Sequence, residues 1–285
     1  MRVGLIGHPL GHSLSPPMQD AAFAAQGLPY RYELLDIPES ALPAQVAALR
    51  GGDWLGCNVT VPYKTAIAPL IDDLHGDAAA LGAVNTVRVE AGRLAGYNTD
   101  VAGFAADLAA HLPAQANPGR AVVLGAGGSA RAVVWALAGQ GWEVVVVARR
   151  AVQAVQLRDS LPAGGAIIPA ALESPVVAGW LAGALLLVNC TPLGMWPRTE
   201  DDPLPPGVPL AADLFVYDLV YRPAQTRLLA RAAAAGCRTA GGLGMLVGQG
   251  AAAFTLWTGQ PAPAPIMRAA AEQALAAQHT ESREV

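Results

Sequence analysis

Of 18 basic residues only one, Lys64, is a lysine, and the chain has five histidines and three cysteines in 285 residues. Charged side chains of both signs make up 14% of it, against 53% hydrophobic. So little charge and so much apolar surface exclude a disordered chain and require large buried cores. The net charge is −4 and neither sign forms a block. Nothing would neutralise a run of phosphates, which excludes nucleic acid as the expected partner. Cys57, Cys190 and Cys237 are odd in number, widely spaced and outside any CxxC pair. They read as buried, reduced thiols of a cytoplasmic protein. His8 and His12 stand four apart, but Pro9 and Gly11 between them forbid a helix, so no metal site is expected.

Long apolar runs are also missing. The longest uncharged stretch, Thr239 to Met267, holds six glycines, three prolines and two glutamines. The next, Ser174 to Pro197, has an apolar centre of only Val176 to Val188. Neither suits a bilayer span of about 20 apolar residues. The chain enters a strand-like run at Val3-Gly4-Leu5-Ile6 with no signal-peptide layout.

The length matches about two domains. The first hundred residues alternate strands (Arg2 to Gly7, Tyr30 to Ile37, Leu55 to Val61) with helices. Ser13 and Ser15 are N-cap candidates for the first helix, whose face is Met18, Ala21, Ala22 and Ala25. A helix is predicted from about Tyr63, then a hairpin turning at Ala91-Gly92-Arg93. The order βαβαβ implies an α/β fold with a mainly parallel sheet and its ligand at the carboxyl ends of the strands. After a helix over Val101 to His111 and a loop over Leu112 to Gly119, a second βα series begins at Arg120. It reads as a Rossmann-type domain, and the last helices lie on either side of a break over Gly259 to Pro265.

That second series opens with Gly125-Ala126-Gly127-Gly128-Ser129-Ala130, a G-x-G-x-x-A turn between an apolar strand and a helix. The first glycine permits the turn, the second lets a pyrophosphate approach the backbone, and the small sixth residue lets helix and strand pack closely. An NAD site places an acidic residue ~20 residues further on, at the end of the second strand. Here that strand ends in Ala148-Arg149-Arg150. Two cations opening a helix oppose its macrodipole. A ribose 2′-phosphate resolves the conflict through bidentate guanidinium bonds, so the predicted cofactor is NADP(H).

A chain that uses arginine elsewhere keeps one ammonium in Asn58-Val59-Thr60-Val61-Pro62-Tyr63-Lys64. Arginine stays protonated at any working pH, whereas burial tunes lysine into an acid/base. Asn58, Asn85 and Asn98 lie in strand-end segments of the same domain, and Asp100 follows the hairpin's return strand, placed to face Lys64. Together they describe a polar pocket for a small polyhydroxylated ligand.

With these residues the chain resembles the shikimate dehydrogenase family nearly end to end. The likeness runs through His12-Ser13-Leu14-Ser15-Pro16, the Lys64 segment, Gly82-Ala83-Val84-Asn85-Thr86, Gly96-Tyr97-Asn98-Thr99-Asp100 and the glycine turn. It continues through Asn189-Cys190-Thr191-Pro192-Leu193-Gly194-Met195, Tyr217-Asp218-Leu219-Val220-Tyr221 and Gly244-Met245-Leu246-Val247-Gly248-Gln249. The resemblance implies reversible NADPH-dependent reduction of 3-dehydroshikimate in a cleft between two domains. The substrate domain would be residues 1–101 with 243–285, and the NADP-binding domain residues 102–242. Lys64 would be the acid/base and Asp100 its partner. Ser13 and Ser15 would hold the substrate carboxylate, while Asn58, Thr60, Asn85, Asp100, Tyr221 and Gln249 hold hydroxyls and shape the pocket. Thr191, Leu219, Gly242 and Met245 would line the nicotinamide side.

The chain departs from the family where Asn-Arg-Thr or Asn-Arg-Ser usually follows the second strand: Ala148-Arg149-Arg150 loses the amide and adds a cation. The rival readings are an NAD-using quinate/shikimate dehydrogenase, a folate-pathway dehydrogenase and a non-catalytic dinucleotide binder. The first lacks its acidic residue, the second leaves the paired serines unexplained, and the third needs neither Lys64 nor Asp100. Monomer and homodimer both fit the sequence.

Overall fold

The computed structural model describes every residue except 12, 113–117, 163–165 and 282–285, so His12 and Pro113 lie outside the described residues. The chain forms two compact units, residues 1–103 with 246–285, and residues 104–245.

The first unit contains β1 (Arg2–Gly7), α1 (Ser15–Ala25), β2 (Arg31–Asp36), α2 (Leu42–Ala48), β3 (Trp54–Val59), β4 (Asp73–Leu74), α3 (Asp77–Leu81), β5 (Thr86–Glu90), β6 (Arg93–Tyr97) and the start of α4 (Thr99–His111). The sheet order is β2-β1-β3-β5-β6-β4. β1 runs parallel to β2 and β3, and Val3 to Gly7 are all buried, as expected of a strand covered on both faces. The hairpin makes β5 antiparallel to both β3 and β6, so this sheet is mixed. Ala91 and Gly92 both have positive φ there, +48° and +77°, the tight turn whose twist matches that of the strands.

Three local expectations are corrected. Neither Ser13 nor Ser15 caps α1: the N-cap is Leu14, and Ser13 Oγ instead accepts the Ser15 N–H at 3.2 Å. The buried face of α1 is Ser15, Met18, Gln19, Ala22 and Phe23, while Ala25 is exposed. The helix is turned toward the C-terminal helices α9 (Leu243–Thr258) and α10 (Ala264–Glu281): Phe23 stacks on Phe254 at 5.5 Å, and Gln19 Nε2 donates to the Gly250 carbonyl at 3.0 Å. The segment from Tyr63 is a run of turns with one short 3-10 turn at Ala68–Leu70. The Lys64 carbonyl accepts the Val84 N–H at 2.7 Å, so it closes no helical turn of its own.

The second unit alternates β7 (Arg120–Leu124), α5 (Gly128–Gly139), β8 (Glu143–Ala148), α6 (Ala151–Ser160), β9 (Ile167–Ala171), α7 (Ser174–Leu181), β10 (Leu186–Asn189), β11 (Phe215–Asp218), α8 (Arg227–Ala234) and β12 (Arg238–Gly241). All six strands are parallel, in the order β12-β11-β10-β7-β8-β9. This is the doubly wound dinucleotide-binding order, whose switch point lies between β7 and β10. Val122, Leu124, Val145, Val147, Leu187 and Val216 fill its core. Among the described residues no helix is long and apolar enough to cross a membrane. Cys57 and Cys237 are buried free thiols as expected, but Cys190 is only half-buried, just past the carboxyl end of β10.

Candidate functional site

Lys64 lies in the first unit between β3 and β4, and Asp100 in the first turn of α4. Its Nζ donates to Asp100 Oδ2 at 2.5 Å, and the two residues are 8% and 4% exposed. Asp100 gains from its place at a helix N-terminus, where the backbone dipole favours a carboxylate. Its other oxygen, Oδ1, accepts from Asn85 Nδ2 at 2.8 Å, and its own N–H donates to Asn98 Oδ1 at 3.2 Å. Asn98 is held in turn by the Ala83 carbonyl at 3.0 Å. The carboxylate is therefore fixed on both oxygens and from its backbone.

Behind this pair lies a buried amide and hydroxyl frame. Asn85 spends its second N–H on Thr99 Oγ1 at 2.9 Å, and its Oδ1 accepts the Thr99 N–H at 2.7 Å. Asn58 donates to Thr86 Oγ1 at 3.0 Å and to the Asn85 carbonyl at 3.2 Å, and its Oδ1 accepts from the Tyr32 hydroxyl at 2.7 Å. Burial raises the Tyr32 phenol well above its usual range. The frame thus links Tyr32, Asn58, Asn85, Asp100 and Lys64. Thr60 is half-buried just beyond β3, its methyl group against Gly7. Gln249, on α9, packs against Gly103, one turn along α4 from Asp100, so closely that a β-carbon on Gly103 would lie 2.7 Å from the Gln249 nitrogen. Tyr32, Thr86 and Thr99 were not singled out from the sequence. The only signal for the two threonines was their place beside Asn85 and Asp100, and for Tyr32 there was none.

The remaining candidates, including Tyr221, lie in the second unit. Gly125 has φ +106° and is hydrogen bonded from its N–H to the Val147 carbonyl at 2.8 Å. A β-carbon at Gly125 would stand 3.1 Å from Thr191 Cγ2 and 3.3 Å from the Cys190 carbonyl carbon. The glycine turn and Thr191 therefore meet at the switch point. Gly127 is exposed, offers no side chain to cap α5, and opens on free space where a β-carbon would be. Gly128 and Ser129 begin the helix and Ala130 is fully buried against the sheet, with Ala126 half-buried between. This cradle suits a pyrophosphate at a helix N-terminus. Arg149 and Arg150 follow β8, the strand beside β7, and are both exposed. At the ends of β11 and β12, Gly242 is pressed on the Leu219 carbonyl, 2.0 Å from where its β-carbon would be.

Replacing Gly125 by alanine is expected to cost about 1–3 kcal/mol of stability, from the left-handed backbone and the contact with Thr191. Urea denaturation measures it; an unchanged midpoint would contradict the geometry.

Asp218, at the end of β11, is fully buried. Burial pushes its carboxyl up to about 6, although Thr226, Val220 and Asn189 all donate to it. The folded chain thus holds this proton to higher pH than the unfolded chain does. Between about pH 4 and 6 the unfolded chain ionises while the folded one keeps its proton, so stability falls as pH rises through that window. Above it the penalty is constant, about 3 kcal/mol at 1.36 kcal/mol per pH unit. Asp72 is shifted the other way: hydrogen bonds from Arg50 and Leu94 hold it at about 2. Asp218→Asn is expected to flatten this part of the stability curve, read as urea midpoints from pH 4.5 to 7. Identical slopes in the two proteins would refute it.

The "Shikimate dehydrogenase substrate binding domain" family profile matches residues 5–87, and the "Shikimate 5'-dehydrogenase C-terminal domain" profile residues 242–272. The chain is 46% identical over 286 residues to a shikimate dehydrogenase (NADP(+)) of Moorella thermoacetica, covering 96% of this chain and 94% of the relative. A shikimate 5-dehydrogenase from Thermus thermophilus, solved with NADP(H) and shikimate, matches with a TM-score of 0.85 and 39% identity, over 96% of this chain and all (100%) of that one. A quinate dehydrogenase from Corynebacterium glutamicum, solved with NAD, matches with a TM-score of 0.85 and 34% identity over 95% and 98% of the two chains.

Proposed function

The chain belongs to the shikimate dehydrogenase family, and on that premise we propose how its own residues carry the family's reaction. The reaction is the reversible NADPH-dependent reduction of 3-dehydroshikimate to shikimate in aromatic amino-acid biosynthesis. When bound, NADPH supplies a hydride to the ketone carbon. As the ketone oxygen gains negative charge, Lys64 stabilises it and gives it a proton. An ammonium has three N–H donors, and one of them is spent on Asp100. Asp100 holds the ammonium in place.

The residues 1–101 and 243–285 would bind the substrate, and 102–242 the dinucleotide. Ser13 and Ser15 would take the carboxylate. Because Ser13 Oγ accepts from the Ser15 backbone, its own proton is left to donate outward. Thr60, Tyr221 and Gln249 would take hydroxyls. Asn58 and Asn85 have both amide N–H groups engaged in the frame, so they would shape the pocket chiefly by holding Asp100 and the end of β3. In the second unit Gly125 to Ala130 would cradle the pyrophosphate, Arg149 and Arg150 the 2′-phosphate, and Thr191, Leu219, Gly242 and Met245 the nicotinamide side. A cytoplasmic monomer or homodimer completes the proposal.

The buried Lys64–Asp100 pair carries the reading, since a binder has no use for a desolvated acid/base. A second reading, a quinate/shikimate dehydrogenase using NAD, has the Corynebacterium likeness behind it and the two arginines against it. Nicotinamide absorbance with shikimate or quinate, each with NADP⁺ or NAD⁺, tests both. Shikimate with NADP⁺ is expected to be fastest. Preference for quinate with NAD⁺ would install the second reading, and no turnover with any pair would end both.

A further inference from the structure

Asp218 takes no part in the chemistry above, yet it is fully buried and no cation among the described residues is paired with it. Its oxygens serve a single construction. Oδ1 accepts from Asn189 Nδ2 at 2.9 Å and from the Val220 N–H at 3.0 Å, and Oδ2 accepts from the Thr226 hydroxyl at 2.7 Å. Asn189, so oriented, turns its Oδ1 to the Thr191 N–H at 3.0 Å and the Thr191 hydroxyl at 2.7 Å. Thr191 Oγ1 then accepts the Leu193 N–H at 3.3 Å, and the Leu219 N–H donates to the Asn189 carbonyl at 3.0 Å. Two turns, one after β10 and one after β11, are thereby braced to one carboxylate. Thr226 ties in the start of α8 as well, since it is the N-cap of that helix.

We propose that Asp218 is the positioning residue for the nicotinamide side of the dinucleotide site, acting through Asn189 to hold Thr191 and directly to hold Val220, next to Leu219. The inference rests on the assignment of Thr191 and Leu219 to that side. A carboxylate suits the task because it accepts from three donors at once without offering one of its own. An aliphatic residue would orphan all three inside the protein. A buried charge without a cation lowers stability, so the residue is retained for the shape it imposes. Asparagine keeps an Oδ1 acceptor for Asn189 and Val220, and the Thr226 hydroxyl can rotate to accept from its amide.

The test compares wild type, Asp218→Ala and Asp218→Asn by calorimetric titration with NADP⁺ and with 2′,5′-ADP, which carries the adenine-side phosphates and no nicotinamide. Asp218→Ala is expected to bind NADP⁺ about tenfold or more weakly, the equivalent of one lost hydrogen bond, with 2′,5′-ADP changed less than about twofold. Its kcat falls, its KM for shikimate stays near the wild-type value, and the kinetic isotope effect with 4-deuterated NADPH rises as a misplaced nicotinamide slows hydride transfer. Asp218→Asn restores NADP⁺ binding. Should Asp218→Ala not fold, Asn189→Ala removes the same brace and is expected to show the same split between the probes. Equal loss of both probes, or unchanged NADP⁺ binding, overturns the proposal. Wild type that binds neither probe overturns instead the dinucleotide reading on which it rests.

Discussion

Lys64→Ala is expected to lower turnover by ~10²–10⁴-fold, with the KM for shikimate much less altered, because a general acid acts in the transition state more than in binding. It is also expected to destabilise the fold. Asp100 is 4% exposed, and without Lys64 its carboxylate keeps only neutral donors, Asn85 foremost. Breaking a buried pair from one side typically costs about 3–5 kcal/mol. The two effects separate in Lys64→Ala/Asp100→Asn, which removes the stranded charge: its melting temperature recovers toward wild type and its turnover does not. Lys64→Arg probes the chemistry from the other direction. A guanidinium keeps the charge and the pairing but holds its protons too tightly to give one up, so turnover still falls by roughly 10²-fold. Near-normal turnover in either single variant would remove Lys64 from the proton transfer.

The features legible in the sequence were those set by a residue's intrinsic chemistry. A lone lysine among arginines, and a glycine turn between an apolar strand and a helix, carry their meaning wherever the chain places them. The four inner strands of the second unit, β7, β8, β10 and β11, were legible because they are buried on both faces, as Val144 to Ala148 are, and so read as mostly apolar runs, whereas β12, with Arg238 and Thr239 exposed, was not read from the sequence. Distant partners were not legible. Whether residues after Tyr63 form a helix depended on where the Lys64 carbonyl would find its donor, and that donor, Val84, is 20 residues away. Ser13 and Ser15 have the chemistry of helix caps, but the Ser13 oxygen was engaged two residues on. Asn58 and Asn85 stand out as strand-end amides, yet the sequence does not say that they turn their N–H groups inward. Asn189 also ends a strand, but its role depends on Asp218 on the neighbouring strand.

Replacing Arg149 and Arg150 together by alanine is expected to weaken NADP⁺ by roughly 10²–10³-fold while NAD⁺ changes by only a few-fold, since each charge-assisted bond to a phosphate contributes about 1.5–3 kcal/mol. The discrimination follows from geometry. β7 and β8 are parallel neighbours, with Leu124 opposite Val147, so the glycine turn and the arginine pair leave the sheet side by side. A dinucleotide whose pyrophosphate lies on Gly127 and whose adenosine ribose turns toward β8 presents its 2′ position to the two cations. Arg150 is also the N-cap residue of α6, where a guanidinium opposes the helix dipole until an anion joins it. With Ala148 before the arginines, no side-chain amide stands at that position, so charge supplies the recognition. Charge is screened by salt, and with both guanidinium groups exposed the preference for NADP⁺ should narrow as ionic strength rises from about 0.01 to 1 M. Steady-state KM values for both cofactors across that range, in wild type and in the double variant, decide the matter. A wild-type preference insensitive to salt, or equal losses for NADP⁺ and NAD⁺ in the variant, would mean that the arginines do not read the phosphate.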